Sequence, residues 1–187
     1  PWLRQVAAEE LAKFQDVASV AEKLTAVFQK DKAYRVRAAA LASYGQVKPS
    51  SGLALLESAA ATDSPDDRLR VAALRAMGTL GDDKAVPLLL NWSATGKPFP
   101  VRAAAITSLG HLARKNKEIT RRLLPYLAET YGGVRAATIA ALNERADPEA
   151  IPALEALLGS SELSEGQEAI ARAAVDRLRA LAGAGEK

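Results

Sequence analysis

The sequence of 187 residues has no cysteine and a single histidine, and these two shortages exclude several kinds of chemistry. Without cysteine there is no disulfide, no thiolate metal ligand and no cysteine nucleophile, and the redox compartment is left open. His111 alone cannot supply a His-Glu-x-x-His zinc motif or readily complete a Ser/His/Asp arrangement, and we predict that it is a surface residue. We therefore expect no catalytic residue, no metal site and no cofactor.

Long apolar runs and secretory signals are also missing. No stretch approaches the roughly 20 apolar residues that a transmembrane helix needs, so we predict a soluble chain with no membrane contact and an unknown compartment. The sequence begins at Pro1 instead of methionine, from which we predict a fragment of a longer polypeptide. Aromatic residues make up only 5%, although hydrophobic residues reach 49%, because alanine and leucine supply most of them. Both favour helix.

Excess charge of one sign is small. The net charge is +3 and charged residues are 25%, so neither nucleic-acid binding nor disorder follows from composition. The phosphate-binding pattern Gly-x-x-x-x-Gly-Lys-[Ser/Thr] is missing, and the pair at 132–133 predicts a turn. The acidic pairs at 66–67 and 82–83 open helices, where carboxylates offset the helix dipole. We expect no small-molecule substrate.

What the sequence does contain is a repeat. A ten-residue pattern, [Val/Leu]-Arg-x-Ala-[Ala/Thr]-[Leu/Ile] with glycine or asparagine last, covers 36–45, 69–78, 101–110 and 134–143. Its arginines, 32 or 33 residues apart, form what we call the arginine ladder: Arg37, Arg70, Arg102 and Arg135. A degenerate fifth copy at 170–179 has Ala171 in the arginine position. Such regular spacing is the mark of a repeat architecture.

A second pattern lies between these copies. Residues 82–89 match 147–154, and looser versions occupy 51–61 and 118–129. Each repeat is therefore predicted to be a helix pair, an A helix followed by a B helix, and the fold class to be all-α with about five pairs and an N-terminal capping helix. We predict one domain, 1–187, with the cap at 1–15, repeats at about 16–48, 49–81, 82–115, 116–146 and 147–182, and a flexible tail at 183–187.

Glycine and aromatic positions suggest where helices end and pack. Gly45, Gly78 and Gly110, with Asn143 in the fourth copy, are predicted to end the B helices in the left-handed conformation. Trp92 and Phe99 bracket the loop at 94–98, and we predict that both rings pack beneath it as core, with a role in binding a partner as the alternative.

Helical periodicity divides each B helix into two faces. Counted from the ladder arginine as position 0, positions −1, +2, +3, +4 and +7 share one broad face, which we predict to be the core. Positions +1 and +5 point the other way. In the first four repeats they carry small and almost uncharged side chains: Ala38, Ala42, Val71, Arg75, Ala103, Thr107, Ala136 and Ala140.

The two patterns resemble HEAT repeats, of the subtype also found in phycobilin-lyase-like proteins. The resemblance covers roughly 16–182 and implies a right-handed α-α superhelix, a HEAT/armadillo-like solenoid that acts as a scaffold. Residues 31–40 and the repeat order after them are also similar to the helical C-terminal region of zinc aminopeptidases of the membrane alanyl aminopeptidase family. That similarity implies an accessory domain of a larger metallopeptidase, a hydrolase whose catalytic part lies elsewhere.

The resemblance also implies roles for the two residue sets. In HEAT repeats the ladder arginine pairs with an acidic residue or a turn carbonyl of a neighbouring repeat, and Asp31, Asp63 and Glu129 lie six or seven residues before an arginine. The alternative is that the arginine ladder binds a phosphate or carboxylate ligand. Positions +1 and +5 face the concave surface. Because a nucleic-acid groove would carry lysine and arginine there, we predict a protein partner and regard nucleic acid as unlikely.

Two other functions compete with a non-catalytic interaction module. Nucleic-acid binding would use the basic cluster of Arg114, Lys115, Lys117, Arg121 and Arg122, together with the basic isoelectric point of about 9.2. A lyase-like activity follows from the phycobilin-lyase resemblance alone, and no acid/base pair is expected on the concave side to support it.

Overall fold

A computed structural model describes residues 1–14, 16–160 and 163–184 of the chain. Throughout these ranges the regular structure is helical, so the all-α fold class is confirmed. The chain divides into two compact units, Pro1–Trp92 and Ser93–Lys187. The single domain that the sequence predicts therefore stays a prediction, and each unit is described by itself.

The first unit begins with a capping helix and continues with helix pairs. Asp16 caps α2 by accepting a hydrogen bond from the backbone N–H of Ser19, at 3.3 Å. A 3-10 turn at Pro65–Asp67 leads into the second B helix. The helices are α1 (Trp2–Leu11), α2 (Val17–Lys30), α3 (Tyr34–Val47), α4 (Gly52–Ala61) and α5 (Arg68–Leu80), with α6 (Val86–Ser93) at the boundary.

The second unit repeats the arrangement. Asn116 and Asp147 cap the A-helix segments, each accepting a hydrogen bond from the backbone N–H two residues later, at 3.1 Å. The helices are α7 (Phe99–His111), α8 (Lys117–Leu123) with a 3-10 extension to Ala128, α9 (Gly132–Arg145), α10 (Ile151–Leu158) and α11 (Glu165–Ala184). Helix α11 thus includes two residues that the sequence predicts as tail, while 185–187 lie outside the described residues.

The predicted core face of the B helices is buried. On α3 it comprises Val36, Ala39, Ala40, Leu41 and Tyr44, and the residues at positions −1, +3, +4 and +7 of α5, α7 and α9 are buried too. The burial of the alanine at position +2 varies, although the residue type is the same in every repeat. It is buried on α3 and α7, half-buried on α5 and α9, and exposed on α11.

The glycines that the sequence predicts as helix ends lie inside the helices, so that prediction is wrong. Gly45 is buried within α3 and Gly110 within α7. A Cβ atom at Gly45 would lie 2.7 Å from the carbonyl oxygen of Ala76, and one at Gly110 would lie 2.9 Å from the Cα of Ala141. These glycines allow the backbones of consecutive B helices to approach closely, which explains their presence in the repeat.

The left-handed residue comes three positions after each of these glycines or the equivalent asparagine. It has a φ of 53° at Lys48, 82° at Gly81, 42° at Ala113 and 55° at Ala146. The left-handed conformation favours glycine, because any other side chain crowds the following carbonyl. Only Gly81 among the four positions is a glycine. The remaining three therefore carry backbone strain.

Relieving that strain is expected to stabilise the protein. We expect Lys48→Gly to raise the free energy of unfolding by about 0.5–1 kcal/mol, since the relief exceeds the extra entropy of glycine in the unfolded chain. Urea unfolding followed by circular dichroism measures the change. The matched control is Ala42→Gly, an exposed position in the interior of α3, which should lose about 1 kcal/mol. Equal losses at both positions would contradict the assignment.

Candidate interaction surface

Positions +1 and +5 of the B helices form a strip of small side chains in each unit. In the first unit, Ala38 and Val71 are half-buried, whereas Ala42 and Arg75 are exposed. In the second unit, Ala103 and Ala136 are half-buried, whereas Thr107 and Ala140 are exposed. The Thr107 hydroxyl donates to the carbonyl of Ala103 at 2.9 Å, so its polar group is already engaged within the helix. We call the four residues in each unit the B-helix strip of that unit.

Exposed aromatic residues extend the B-helix strip at the N-terminal ends of these helices. Tyr34 and Phe99 occupy position −3, one helical turn before the strip residues of α3 and α7. Phe99 is 45% exposed and stacks on Tyr131, which is 43% exposed. The ring centroids are 4.3 Å apart and the planes differ by 9°. In the second unit, an aromatic pair therefore continues the strip.

The prediction that Phe99 packs as core is wrong, whereas Trp92 is partly covered. Phe99 is the first residue of α7 and precedes a proline, so its ring projects from the helix end toward Tyr131. Trp92 is half-buried, and the guanidinium of Arg70 lies over its ring at 4.7 Å from the centroid. Sequence position alone did not distinguish these two rings.

The ladder arginines fasten the A helix to the B helix of a pair. Arg37 Nε donates to the carbonyl of Phe28 at 2.6 Å, Arg70 Nε to that of Ala60 at 2.9 Å, and Arg102 Nε to that of Ser93 at 3.1 Å. The acceptors lie in the last turns of α2, α4 and α6, where helix carbonyls lack an internal partner. Arg135 occupies the same position of α9 and is buried.

Acidic partners of the ladder differ from those that the spacing suggested. Arg70 does pair with Asp63, at 3.2 Å, and also with Asp67. Glu129, however, pairs with Arg102 of α7 and not with Arg135, and this hydrogen bond lowers the pKa of its carboxyl. The six-residue separation from Arg135 was therefore misleading, because Glu129 lies in the turn that faces the preceding B helix.

Asp31 is likewise engaged elsewhere. It pairs with Arg4 of the capping helix α1, at 2.7 Å, and not with Arg37. The hydrogen bond from Arg4 lowers the pKa of the Asp31 carboxyl, as does the one from the backbone N–H of Ala33. Arg37 instead lies over the ring of Phe28, 5.0 Å from its centroid. The capping helix therefore takes the place that a preceding repeat would occupy.

Arg145 is a buried residue that sequence reasoning missed. It is 2% exposed and lies at the end of α9. Its guanidinium donates to the hydroxyl of Thr120 at 3.0 Å and to five backbone carbonyls between 2.6 and 3.4 Å away, those of Leu109, Leu112, Ala113, Arg114 and Asn116. One side chain thus organises the connection from α7 to α8.

Three of the five residues of the basic cluster have acidic partners. Lys117 and Arg121 both pair with Glu149, at 3.3 and 3.0 Å. Arg122 pairs with Glu118, one helical turn away, at 3.3 Å. The hydrogen bond from Arg121 lowers the pKa of the Glu149 carboxyl. These ion pairs reduce the positive field that the cluster presents to a phosphate backbone.

One carboxylate of each acidic pair has a local structural partner. Asp82 accepts a hydrogen bond from the backbone N–H of Lys84 at 3.0 Å, and Asp67 pairs with Arg70. His111 is exposed at the end of α7. Among the described residues, no group of three or more histidines and carboxylates is arranged to hold a metal ion. In the same ranges, no helix combines the length and apolarity that crossing a bilayer requires.

Comparison with known proteins identifies the family and the fold of this chain. A family model described as HEAT repeats matches residues 21–110 and 93–175. Among solved structures, a chain in the complex of CpcE and CpcF of phycocyanin lyase from Nostoc sp. PCC7120 is similar, with 21% identity and a TM-score of 0.65. That alignment covers 84% of this chain and 98% of the other. No curated protein matches the sequence significantly.

Artificial repeat proteins share the fold as well. A designed armadillo repeat protein matches with 18% identity and a TM-score of 0.53 over 93% of this chain and 92% of its own. An engineered protein matches with 18% identity and a TM-score of 0.56 over 95% of this chain and 90% of its own. At these identities the likeness shows the fold alone, and it confirms the HEAT/armadillo solenoid class.

Proposed function

We propose, from the premise that this chain belongs to the HEAT-repeat family, that it is a protein-interaction module whose contact surface is the B-helix strip with its aromatic ends. The observation that carries the proposal is the stacked pair Phe99 and Tyr131. Both aromatic residues are more than two-fifths exposed, and leaving such large apolar surfaces in water does not stabilise the fold. Aromatic residues are enriched in the contact areas of protein interfaces.

The B-helix strip supports the same function. Phe99, Ala103 and Thr107 follow one another at four-residue spacing, so they share one face of α7. Small side chains on such a face let a partner approach the helix backbone, and the near absence of charge lowers the cost of removing water. A protein surface meets these conditions better than a phosphate backbone, which needs many cations.

A crosslinking experiment tests the proposal. A photoreactive benzoyl-phenylalanine at position 103 or 140 is expected to capture a specific protein in the native host, which mass spectrometry identifies. The same residue at position 122, exposed on α8 outside the surface, is the matched control. Equal capture at all three positions, or capture at position 122 alone, would exclude the B-helix strip as the contact surface.

The identified partner then allows a quantitative measurement. With the purified partner, we expect Ala140→Glu to weaken binding about tenfold or more, since it places a charge in an apolar contact, while the thermal unfolding midpoint stays unchanged. Arg75→Glu and Ala103→Glu are the corresponding changes elsewhere on the strip. Unchanged affinity in all three variants would contradict the proposal.

The finer form of the proposal attaches the module to a zinc aminopeptidase as its C-terminal accessory domain. It is supported by the similarity of residues 31–40 and of the repeat order to that family. The intact mass and N-terminal sequence of the natural polypeptide test it. A much longer chain with a His-Glu-x-x-His segment before residue 1 is the expected result, whereas a longer chain with no such segment would remove it.

Lyase activity is not part of the proposal. The phycocyanin lyase complex is similar in fold at 21% identity, and this likeness supports the helix-pair architecture without assigning a reaction. That structure contains two different named proteins in one complex, CpcE and CpcF. A protein partner for this chain is therefore in keeping with the architecture, and its identity is what the crosslinking experiment determines.

A further inference from the structure

A pocket of about 550 Å³ lies in the first unit beside the N-terminal ends of α3 and α5. Trp2, Tyr34 and Pro65 supply much of its apolar lining, Arg35 and Arg68 supply guanidinium groups, and Pro1 and Ala33 complete the lining. Trp2 is 66% exposed and Tyr34 is 38% exposed. The pocket is therefore an open site with aromatic surface on one part and guanidinium groups on another.

The two arginines are equivalent residues of consecutive repeats. Each occupies position −2 of its B helix, and they lie 33 residues apart in the sequence. Both are exposed, and neither takes part in an ion pair within the ranges that the structure describes. In the second unit this position of α7 and α9 carries no arginine, because it is occupied by Pro100 and Gly133.

Three of the carboxylates in the turns before α3 and α5 pair with other cations. Asp31 pairs with Arg4, while Asp63 and Asp67 pair with Arg70. These bonds leave the guanidinium groups of Arg35 and Arg68 available to a ligand. Arginine's planar fork of donors suits a carboxylate, which accepts two parallel hydrogen bonds. The apolar lining suits an aromatic or aliphatic side chain next to that carboxylate.

We propose that this pocket binds an acidic segment of a partner protein, with a carboxylate between Arg35 and Arg68 and an apolar side chain against Trp2 and Tyr34. The inference rests on the proposed function, and it gives the partner of the first unit a definite chemistry. Tyr34 also lies one turn before Ala38, so a bound segment would continue onto the B-helix strip of α3.

Single-stranded nucleic acid is the competing ligand, since bases stack on aromatic rings and phosphates bind arginine. The surroundings favour a peptide. Asp63 has a fully exposed side chain, and Asp66 in the next turn is exposed as well. These carboxylates repel a continuous row of phosphates, whereas a peptide that places one or two carboxylates on the arginines avoids them.

The binding test uses fluorescence anisotropy with the 187-residue chain. The probe is a fluorescein-labelled octapeptide, Gly-Ser-Asp-Glu-Phe-Glu-Asp-Leu, compared with the same peptide in which Asn and Gln replace every acidic residue. A labelled ten-residue oligothymidylate is the nucleic-acid probe. We expect saturable binding of the acidic peptide that weakens as salt is raised, and binding at least about tenfold weaker for the other two probes.

Variants locate the bound segment. The double change Arg35→Gln and Arg68→Gln is expected to weaken peptide binding about tenfold, as two exposed charge contacts would. Trp2→Ala is expected to weaken it independently of salt. Arg122→Gln, an exposed arginine of α8 outside both the pocket and the B-helix strip, is the matched control and should leave affinity unchanged. Circular dichroism melts verify that each variant is folded.

Three outcomes would overturn the inference: no binding of the acidic peptide, equal binding of the neutral peptide, or tighter binding of the oligonucleotide. Insensitivity to the double arginine change, in a folded protein, would overturn it as well. Because the crosslinking positions 103 and 140 lie in the second unit, a failure here leaves the proposed function standing. Conversely, peptide binding here together with no specific capture there would confine the contact surface to the first unit.

Discussion

Replacing Arg145 by methionine is expected to lower the free energy of unfolding by about 3–5 kcal/mol. The substitution keeps an unbranched side chain of similar length but removes every donor. Five backbone carbonyls and one hydroxyl would lose this partner. The acceptors at Leu109, Leu112 and Thr120 belong to buried residues, whereas Ala113 is half-buried and Arg114 and Asn116 are exposed. An unsatisfied buried polar group costs about 1–3 kcal/mol, and only some of these acceptors can be rehydrated.

Urea unfolding followed by circular dichroism measures the loss, and hydrogen exchange shows where it arises. Exchange should accelerate first in residues 112–116, where Arg145 holds four of the five carbonyls. Arg121→Met is the matched control, since that arginine is exposed and pairs with Glu149, and it should cost less than about 1 kcal/mol. If Arg145→Met unfolded with the same free energy as the control, the arginine would have no organising role.

Gly45→Ala is expected to destabilise the protein by about 2 kcal/mol, although alanine favours helix more than glycine by about 1 kcal/mol. The added methyl group would lie 2.7 Å from the carbonyl oxygen and 2.9 Å from the Cα of Ala76. Both atoms belong to the backbone of α5, so relief requires one helix to move. Moving a helix disturbs the packing of Leu41 and Tyr44.

The measurement is again the free energy of unfolding in urea. Gly166→Ala is the matched control, because an added Cβ in α11 would meet no atom within 4 Å, and it should stabilise by up to about 1 kcal/mol. Combining Gly45→Ala with Ala76→Gly should restore less than half of the loss, since the Ala76 oxygen and Cα positions remain. A neutral or stabilising Gly45→Ala would show that the helices are free to separate.

The repeat spacing was sufficient to predict the helix pairs, but it misplaced their ends. Gly45 and Gly110 end an apolar pattern, as C-terminal glycines do, and nothing in a single sequence separates that role from close helix packing. The true left-handed residues include lysine and alanine at Lys48, Ala113 and Ala146. Lysine and alanine are not typical of turns in a sequence. They adopt this conformation here because the short connection between two packed helices requires it.

The candidate surface could be predicted only in part. Helical periodicity identified which B-helix positions leave the core, since that depends on local geometry. Arg145 could not be found in this way, because it stands where the three preceding repeats have the aliphatic residues Val47, Leu80 and Leu112. The partners of Asp31 and Glu129 were also hidden, because they depend on how a turn faces the element before it.

The bond from a ladder arginine to a carbonyl nine or ten residues earlier has a consequence for how such a chain changes in evolution. Each fastening begins and ends inside one helix pair. A stretch of about 33 codons can therefore be duplicated or deleted with its own fastening intact, provided that the cut falls between pairs. The molecule can then gain a whole helix pair without acquiring a new arginine at the junction between pairs.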